Sequence, residues 1–328
     1  MSVSLRCYST SLGCPKNRVD TERLLGSLGV ALVPVESPDE AELVFINTCA
    51  FIQPATEESV RTIAQAIADI EELPKRPLLA VAGCLVGRYH AEDLAPELPE
   101  VDLWLDNSDL EAWPAMLARK LGLPEPTVPG RILSTGPSYA WLKISDGCRH
   151  ACSFCAIPNI RGGHRSHCKD MIVREARALL DQGVKELNLV AQDLTEWGCD
   201  LDGKQDLRTL LDGLLPLPGL ERLRLMYLYP AGMTHEMLKY LCEAGKPFVP
   251  YFDVPVQHSH PDVLSRMGRP FARNPREAID RIRNVFPEAA LRTSIMVGFP
   301  GETEEHFEHL REFIEEVRFQ HLGVFAYR

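Results

Sequence analysis

"YAWLKISDGCRHACSFC", Tyr139 to Cys155, joins a run that reads as a β-strand to three cysteines spaced C-x3-C-x2-C. Where parallel strands are joined by helices, chemistry collects at the carboxyl ends of the strands. The stretch therefore predicts the first unit of an α/β domain, with its site just beyond the strand. Three thiolates do not close a structural zinc site, which takes four ligands. They can hold three irons of a four-iron cluster and leave the fourth open. Zinc completed by a remote ligand such as His150, or three unconnected thiols, stay open on spacing alone.

Downstream the same rhythm repeats. Strands are expected at Glu186–Ala191, Leu223–Leu228, Phe248–Val254, Arg292–Val297 and Leu322–Tyr327, after a first at Tyr139–Ser145. Between them, Met171–Gln182 places Ile172, Val173, Ala176, Leu179 and Leu180 on one face and stops at Gly183. Asn274 before Pro275, and Thr303 before a run carrying Phe307, Leu310, Ile314 and Val317, are helix starts. Six βα units predict a (β/α)6 partial TIM barrel over 138–328. Upstream, 122–137 holds four prolines and three glycines without an amphipathic period and reads as a linker.

The first 121 residues also alternate strand and helix. "SLRCYSTSL", "AELVFINTC", "PLLAVAGC" and "VDLWLDN" read as strands. A helix over Asp20–Leu28 is expected, another with Val60, Ile63, Ala64, Ile67 and Ile70 on its apolar face, and a last from Leu110 to Leu121. This pattern means an N-terminal parallel sheet covered by helices, so the whole chain is α/β. Cys14, Cys49 and Cys84 are 35 and 35 residues apart, each at the end of one of the first three expected strands. Parallel strands share one carboxyl edge, so these three thiols can converge into a second open triad. Buried apolar thiols are the competing reading.

The chain carries a formal charge of −11 and ten cysteines in 328 residues. Acidity argues against direct nucleic-acid binding, which wants basic patches. No leader-like start and no apolar run of membrane length is present, so a cytoplasmic chain with reduced thiols and no membrane partner is expected. Cys7, Cys168, Cys199 and Cys242 read as incidental thiols.

The C-x3-C-x2-C spacing, with Phe154 before the last cysteine, resembles the radical S-adenosylmethionine (SAM) superfamily. Two three-cysteine sites in this order, with "SLGCPKNRVDTE", "FINTCAFI", "SDGCRHACSFCAIPNIRG", "LVAQDLTEWG", "YFDVPVQHSHPDVLSRMGR" and "RTSIMVGFPGETEEHFE", resemble the methylthiotransferases, and among them the branch acting on a ribosomal protein. The tRNA branch tends to carry Gln-Met-Asn and Gly-Gln-Asn where this chain has Pro15-Lys16-Asn17 and Ala191-Gln192-Asp193.

The resemblance implies two 4Fe-4S clusters, one on Cys148, Cys152 and Cys155 and one on Cys14, Cys49 and Cys84. It implies SAM as radical source and methyl donor, and an external electron donor such as flavodoxin or ferredoxin. The implied reaction replaces a hydrogen on the β-carbon of one aspartate of ribosomal protein S-twelve by a methylthio group, with both open irons reaching that carbon. A proton there is out of easy reach of a base, whereas a radical can abstract the hydrogen atom. The resemblance further implies a small β-barrel, the TRAM domain, after the partial barrel, and 1–328 is expected to stop before it. By position at strand ends, Gln192, Asp193, Gln257, Ser294 and Gly298 are the expected SAM-pocket residues, with Phe154 beside the cluster. Tyr227 and Tyr229 are candidate substrate contacts or stacked aromatics. A tRNA methylthiotransferase and a non-enzymatic metal-binding module are the alternatives. Iron content and product mass separate them.

Overall fold

The computed structural model describes residues 4–269 and 274–327. The chain divides into two compact units: Met1–Ser134 with Ala156–Gly162, and Thr135–Cys155 with Gly163–Arg328.

Unit 1 is a five-stranded parallel sheet in the order β2-β1-β3-β4-β5, with β1 Ser4–Ser11, β2 Ala31–Pro34, β3 Leu43–Thr48, β4 Leu78–Gly83 and β5 Leu103–Leu105. Its helices are α1 Pro15–Ser27, α2 Gln53–Ile70, α3 Cys84–Tyr89, α4 Ala91–Leu94, α5 Trp113–Leu121 and α6 Ile157–Arg161. β3 is buried along its whole length, as expected for a strand covered on both faces. One side of the sheet packs Leu43, Phe45, Leu105, Trp113 and Leu117; the other packs Val44, Ile46, Ile63, Ile70 and Val81. In this order the chain steps from β1 to β2 on one side and then crosses back past β1 to β3 on the other. That reversal is a topological switch point, where parallel sheets open a crevice at their carboxyl edge.

Two expectations for unit 1 need correction. β2 was not foreseen, because "ALVP" is a short exposed edge ending in proline, with no apolar alternation. The buried face of α2 is Thr56, Ser59, Ile63, Ala66 and Ile70, while Val60 is 41% exposed and Ala64 faces solvent. Ser59 sets that rotation. Its hydroxyl accepts from the N–H of Cys49 at 3.0 Å and donates to the Cys49 carbonyl at 2.7 Å.

Unit 2 is a six-stranded parallel sheet running in simple chain order, β6 Tyr139–Lys143, β9 Glu186–Val190, β10 Arg222–Leu225, β11 Phe248–Asp253, β12 Ala290–Val297 and β13 His321–Ala326. A two-residue antiparallel ladder, β7 Ser145–Asp146 with β8 Arg165–Ser166, pinches the base of the loop that carries the cysteines. The helices are α7 Lys169–Asp181, α8 Leu207–Leu214, α9 His235–Ala244, α10 Pro261–Arg266, α11 Pro275–Val285 and α12 Glu304–Val317. Asn274 and Thr303 cap α11 and α12 through their side chains, as the sequence indicates. β10 stops at Leu225, three residues short of the expected end. Tyr227 adopts φ 61°, which takes the chain out of extended geometry, and the Leu228 N–H bonds to the Asp253 carbonyl at 2.8 Å. No helix among the described residues is long and apolar enough to cross a membrane.

Candidate functional site

In unit 1 the three cysteines stand at the carboxyl edge, on both sides of the switch point. Cys14 is the N-cap of α1, Cys49 follows the last residue of β3, and Cys84 opens α3 directly after β4. Gly13, at φ 81°, allows the approach: a Cβ there would sit 2.7 Å from the Cys49 sulfur. Asn17, fully buried, ties the strand ends together, its amide donating to the carbonyls of Leu12 at 2.9 Å and Thr48 at 2.8 Å. The Asn17 amide oxygen accepts from Arg161 and lies 3.8 Å from the Cys84 sulfur. Arg161 also donates to Asp20 at 3.3 Å. Thr48 donates to the Ala82 carbonyl at 2.6 Å and accepts the Leu85 N–H at 3.1 Å, which fixes the start of α3.

The electrostatics differ within this triad. Burial pushes the Cys14 thiol up, but Lys16, Arg161 and the N–H groups of Asn17 and Lys16 outweigh it, and the net shift is downward. For Cys49, burial wins over the N–H of Phe51, and neighbouring Cys84 and Cys14 add to it, so its pKa rises to about 11. Of these two, Cys14 is the thiol more ready to bind a metal as thiolate.

In unit 2 all three cysteines come from one loop. The His150 N–H donates to the Cys148 sulfur at 3.4 Å, and the Cys155 N–H to the Cys152 carbonyl at 3.0 Å. The loop is held from outside: Ser153 donates through its N–H to the Met267 carbonyl at 3.1 Å and through its hydroxyl to the Arg266 carbonyl at 2.9 Å. Its base rests on the buried pair Lys143–Asp146 at 2.9 Å, with His167 3.2 Å from the same carboxylate. Burial is the main cause that takes Cys148 up to about 11; the His150 N–H opposes it, while Cys155, Asp193 and Cys152 reinforce it. Phe154 is half-buried against Val263, Leu264, Met267 and Phe299.

The expected pocket residues fall into two kinds. Gln192 is half-buried at the end of β9, and neither its amide oxygen nor its amide nitrogen has a partner among the described residues. An orphaned buried amide of this kind awaits a polar ligand. Asp193 is instead engaged structurally, by His150 Nε2 at 2.7 Å and by the N–H and hydroxyl of Thr195 at 2.8 and 2.7 Å. Gln257, at φ 68°, pairs its backbone with Ser294 and Met296 across an isolated bridge to Ile295. Ser294 lies half-buried on β12, and Gly298, at φ 76°, has open space around its Cα. His258 donates no bond through Nε2 among the described residues, and its Nδ1 accepts the His260 N–H at 2.9 Å. Tyr229 is a stacked aromatic, 4.2 Å from the His150 ring at 14°.

All ten cysteines are free thiols. A single tetrahedral zinc draws its sulfurs to about 3.8 Å from one another. Among the described residues, three mixed groups have all their ligating atoms within 4.8 Å: His150–Asp193–Glu196, His164–Cys199–Asp200 and His260–Asp262–His306. Neither cysteine triad is among those groups. All-thiol donor sets suit soft metals, whether an iron–sulfur cluster or zinc. Asn17, Arg161 and Lys143 were not singled out in the sequence. Each is a buried polar residue whose partners are themselves polar, and that burial becomes visible only in the folded chain.

A family model described as the Radical SAM superfamily matches residues 142–314, and one described as uncharacterized protein family UPF0004 matches residues 6–106. The chain is 68% identical over 321 residues to the ribosomal protein uS12 methylthiotransferase RimO of Nitratidesulfovibrio vulgaris, spanning 98% of this chain and 75% of that protein. The protein of the same name from Aquifex aeolicus is 46% identical over 321 residues, spanning 97% of this chain and 71% of its own length. Among solved structures, the radical SAM methyltransferase TsrM from Kitasatospora setae superposes with TM-score 0.69 at 15% identity, over 99% of this chain and 72% of that one. That last similarity is one of fold.

Proposed function

Because the chain belongs to the RimO family of radical SAM methylthiotransferases, we propose that it adds a methylthio group to the β-carbon of one aspartate of ribosomal protein uS12. The observation that carries this reading is the identity of 68% along 98% of the chain to a relative of that name. We further propose that Cys148, Cys152 and Cys155 hold one 4Fe-4S cluster, and that Cys14, Cys49 and Cys84 hold a second. Two open thiol triads, each in a laced polar frame, support that assignment.

A reduced four-iron cluster with SAM supplies a radical able to take a hydrogen atom from an unactivated carbon. The residues of this chain then have separable tasks. The N–H of His150 steadies Cys148, and Lys143 with Asp146 anchors the loop base. Gln192, with its unpartnered amide, is the strongest candidate to bind polar groups of SAM. Gln257, Ser294 and Gly298 complete the proposed pocket through strand-end positions. In unit 1, Asn17 keeps the three strand ends at fixed separation, so that the thiols are preorganised for metal. The electron comes from an external carrier of the flavodoxin or ferredoxin class, and the setting is cytoplasmic, where the ribosome is made.

The test is anaerobic reconstitution with iron, sulfide, SAM and a reductant, offering purified uS12 and, separately, tRNA. The expected outcome is about eight irons per chain and a uS12 peptide heavier by one methylthio group in place of one hydrogen. Modified tRNA with unmodified uS12 would move the chain to the nucleic-acid branch. One or two zinc ions with neither product would reject the enzymatic reading.

A further inference from the structure

Arg269 lies behind the cysteine loop and is 6% exposed. Burying a guanidinium costs several kcal/mol unless an anion faces it. The other buried arginines obey that rule: Arg161 faces Asp20 at 3.3 Å and Arg131 faces Glu22 at 2.7 Å. Arg269 forms no ion pair with a carboxylate among the described residues, and its Nε has no partner there. One terminal nitrogen donates to the Pro255 carbonyl at 2.9 Å, while the other points at the Cys152 sulfur at 3.9 Å. The guanidinium carbon lies 4.4 Å from the ring centre of Tyr229, the ring that also stacks on His150.

The backbone is built to deliver this side chain. The Arg269 N–H closes on the Leu264 carbonyl at 2.9 Å. Gly268, at φ 69°, brings the chain so close that a Cβ there would sit 2.7 Å from the Ala151 carbonyl oxygen. Arg266 reaches the other way, to the Gly301 carbonyl at 3.0 Å. Residues 266–269 thus strap the cysteine loop and place one unneutralised cation on its middle cysteine.

We propose that Arg269 is a positioning residue of the Cys148–Cys152–Cys155 centre, whose fixed positive charge beside Cys152 favours the reduced state of that centre. This rests on the assignment of a cluster to those cysteines. Adding an electron makes a thiolate-bound cluster more negative, and a buried cation held at one sulfur stabilises that state over the oxidised one. Tyr229 keeps the guanidinium from turning toward solvent.

The experiment uses the full chain carrying Cys14→Ala, Cys49→Ala and Cys84→Ala, so that one centre is read alone. Iron content, the midpoint potential followed by electron spin resonance of the reduced cluster, and SAM cleavage are measured for Arg269→Gln and Arg269→Lys. Arg269→Gln is expected to keep its iron, to show a lower potential, and to cleave SAM about tenfold more slowly; Arg269→Lys should recover most of both. An unchanged potential in Arg269→Gln at equal iron overturns the proposal, as does a lysine variant no better than the glutamine one. If Arg269→Gln loses its iron, Tyr229→Leu decides. A lowered potential there supports the proposal, and an unchanged one overturns it. A parent chain that binds no iron at this centre would instead overturn the underlying cluster assignment.

Discussion

The two cysteine triads gather three thiols by opposite routes. In unit 1, three residues 35 positions apart are brought together by the ends of β1, β3 and β4, and their spacing is a property of the sheet. In unit 2, three residues within eight positions share one loop, and their spacing is a property of the local chain. The polar groups that steady each triad follow the same division. Asn17 and Thr48 lace strand end to strand end in unit 1. In unit 2 the loop is gripped from outside, by Lys143–Asp146 below and by residues 266–268 alongside. A site made by a sheet is as rigid as the sheet, whereas a site made by a loop is as rigid as its straps.

The sharpest way to break this contrast is to remove one cysteine from each triad. Cys152→Ala should abolish SAM cleavage and about half of the bound iron, while Cys49→Ala should lose the other half and keep SAM cleavage. Iron analysis and chromatography of the cleavage product read both. Next in size, Lys143→Met strips the buried Asp146 carboxylate of its ammonium partner and should cost about 4 kcal/mol in urea denaturation. Its iron loss should fall on the loop triad alone.

Protonation comes third. Burial takes His258 down to about 4, against the pull of the Glu302 carboxylate 3.6 Å away. The folded state therefore binds its proton later than the unfolded chain does. The stability tied to neutral His258 is fully present above the unfolded value near 6.5 and is lost as pH falls toward about 4. It amounts to about 3 kcal/mol, and His258→Asn should flatten that part of the pH–stability curve. Smallest, Gly268→Ala forces a side chain against the Ala151 carbonyl at a left-handed φ and should cost about 2 kcal/mol. It should loosen iron retention in the loop triad and leave the sheet triad untouched; equal loss from both would erase the distinction drawn between them.

Much of this architecture was legible in the residues. Alternation of apolar strands and helical periods located both sheets, and Asn274 and Thr303 marked helix starts that form as read. β2 escaped because an exposed edge needs no apolar pattern, and the face of α2 was misplaced because Ser59, a polar residue, is the one turned inward. Asp193 was expected in a cofactor pocket, yet His150 and Thr195 occupy its carboxylate. The loop triad could be read from eight residues, since spacing within a short loop is itself geometry.

By itself, the sequence determined the α/β class, the parallel sheets, three thiols at strand ends and three in one loop, because periodicity, strand direction and short spacing are local properties of the chain. Only the tertiary structure decided which polar groups stand behind those thiols. Asn17 with Arg161, Lys143 with Asp146, and Arg269 with Tyr229 pair residues that are mostly far apart in sequence, and their worth comes from burial, which no single stretch of chain can supply.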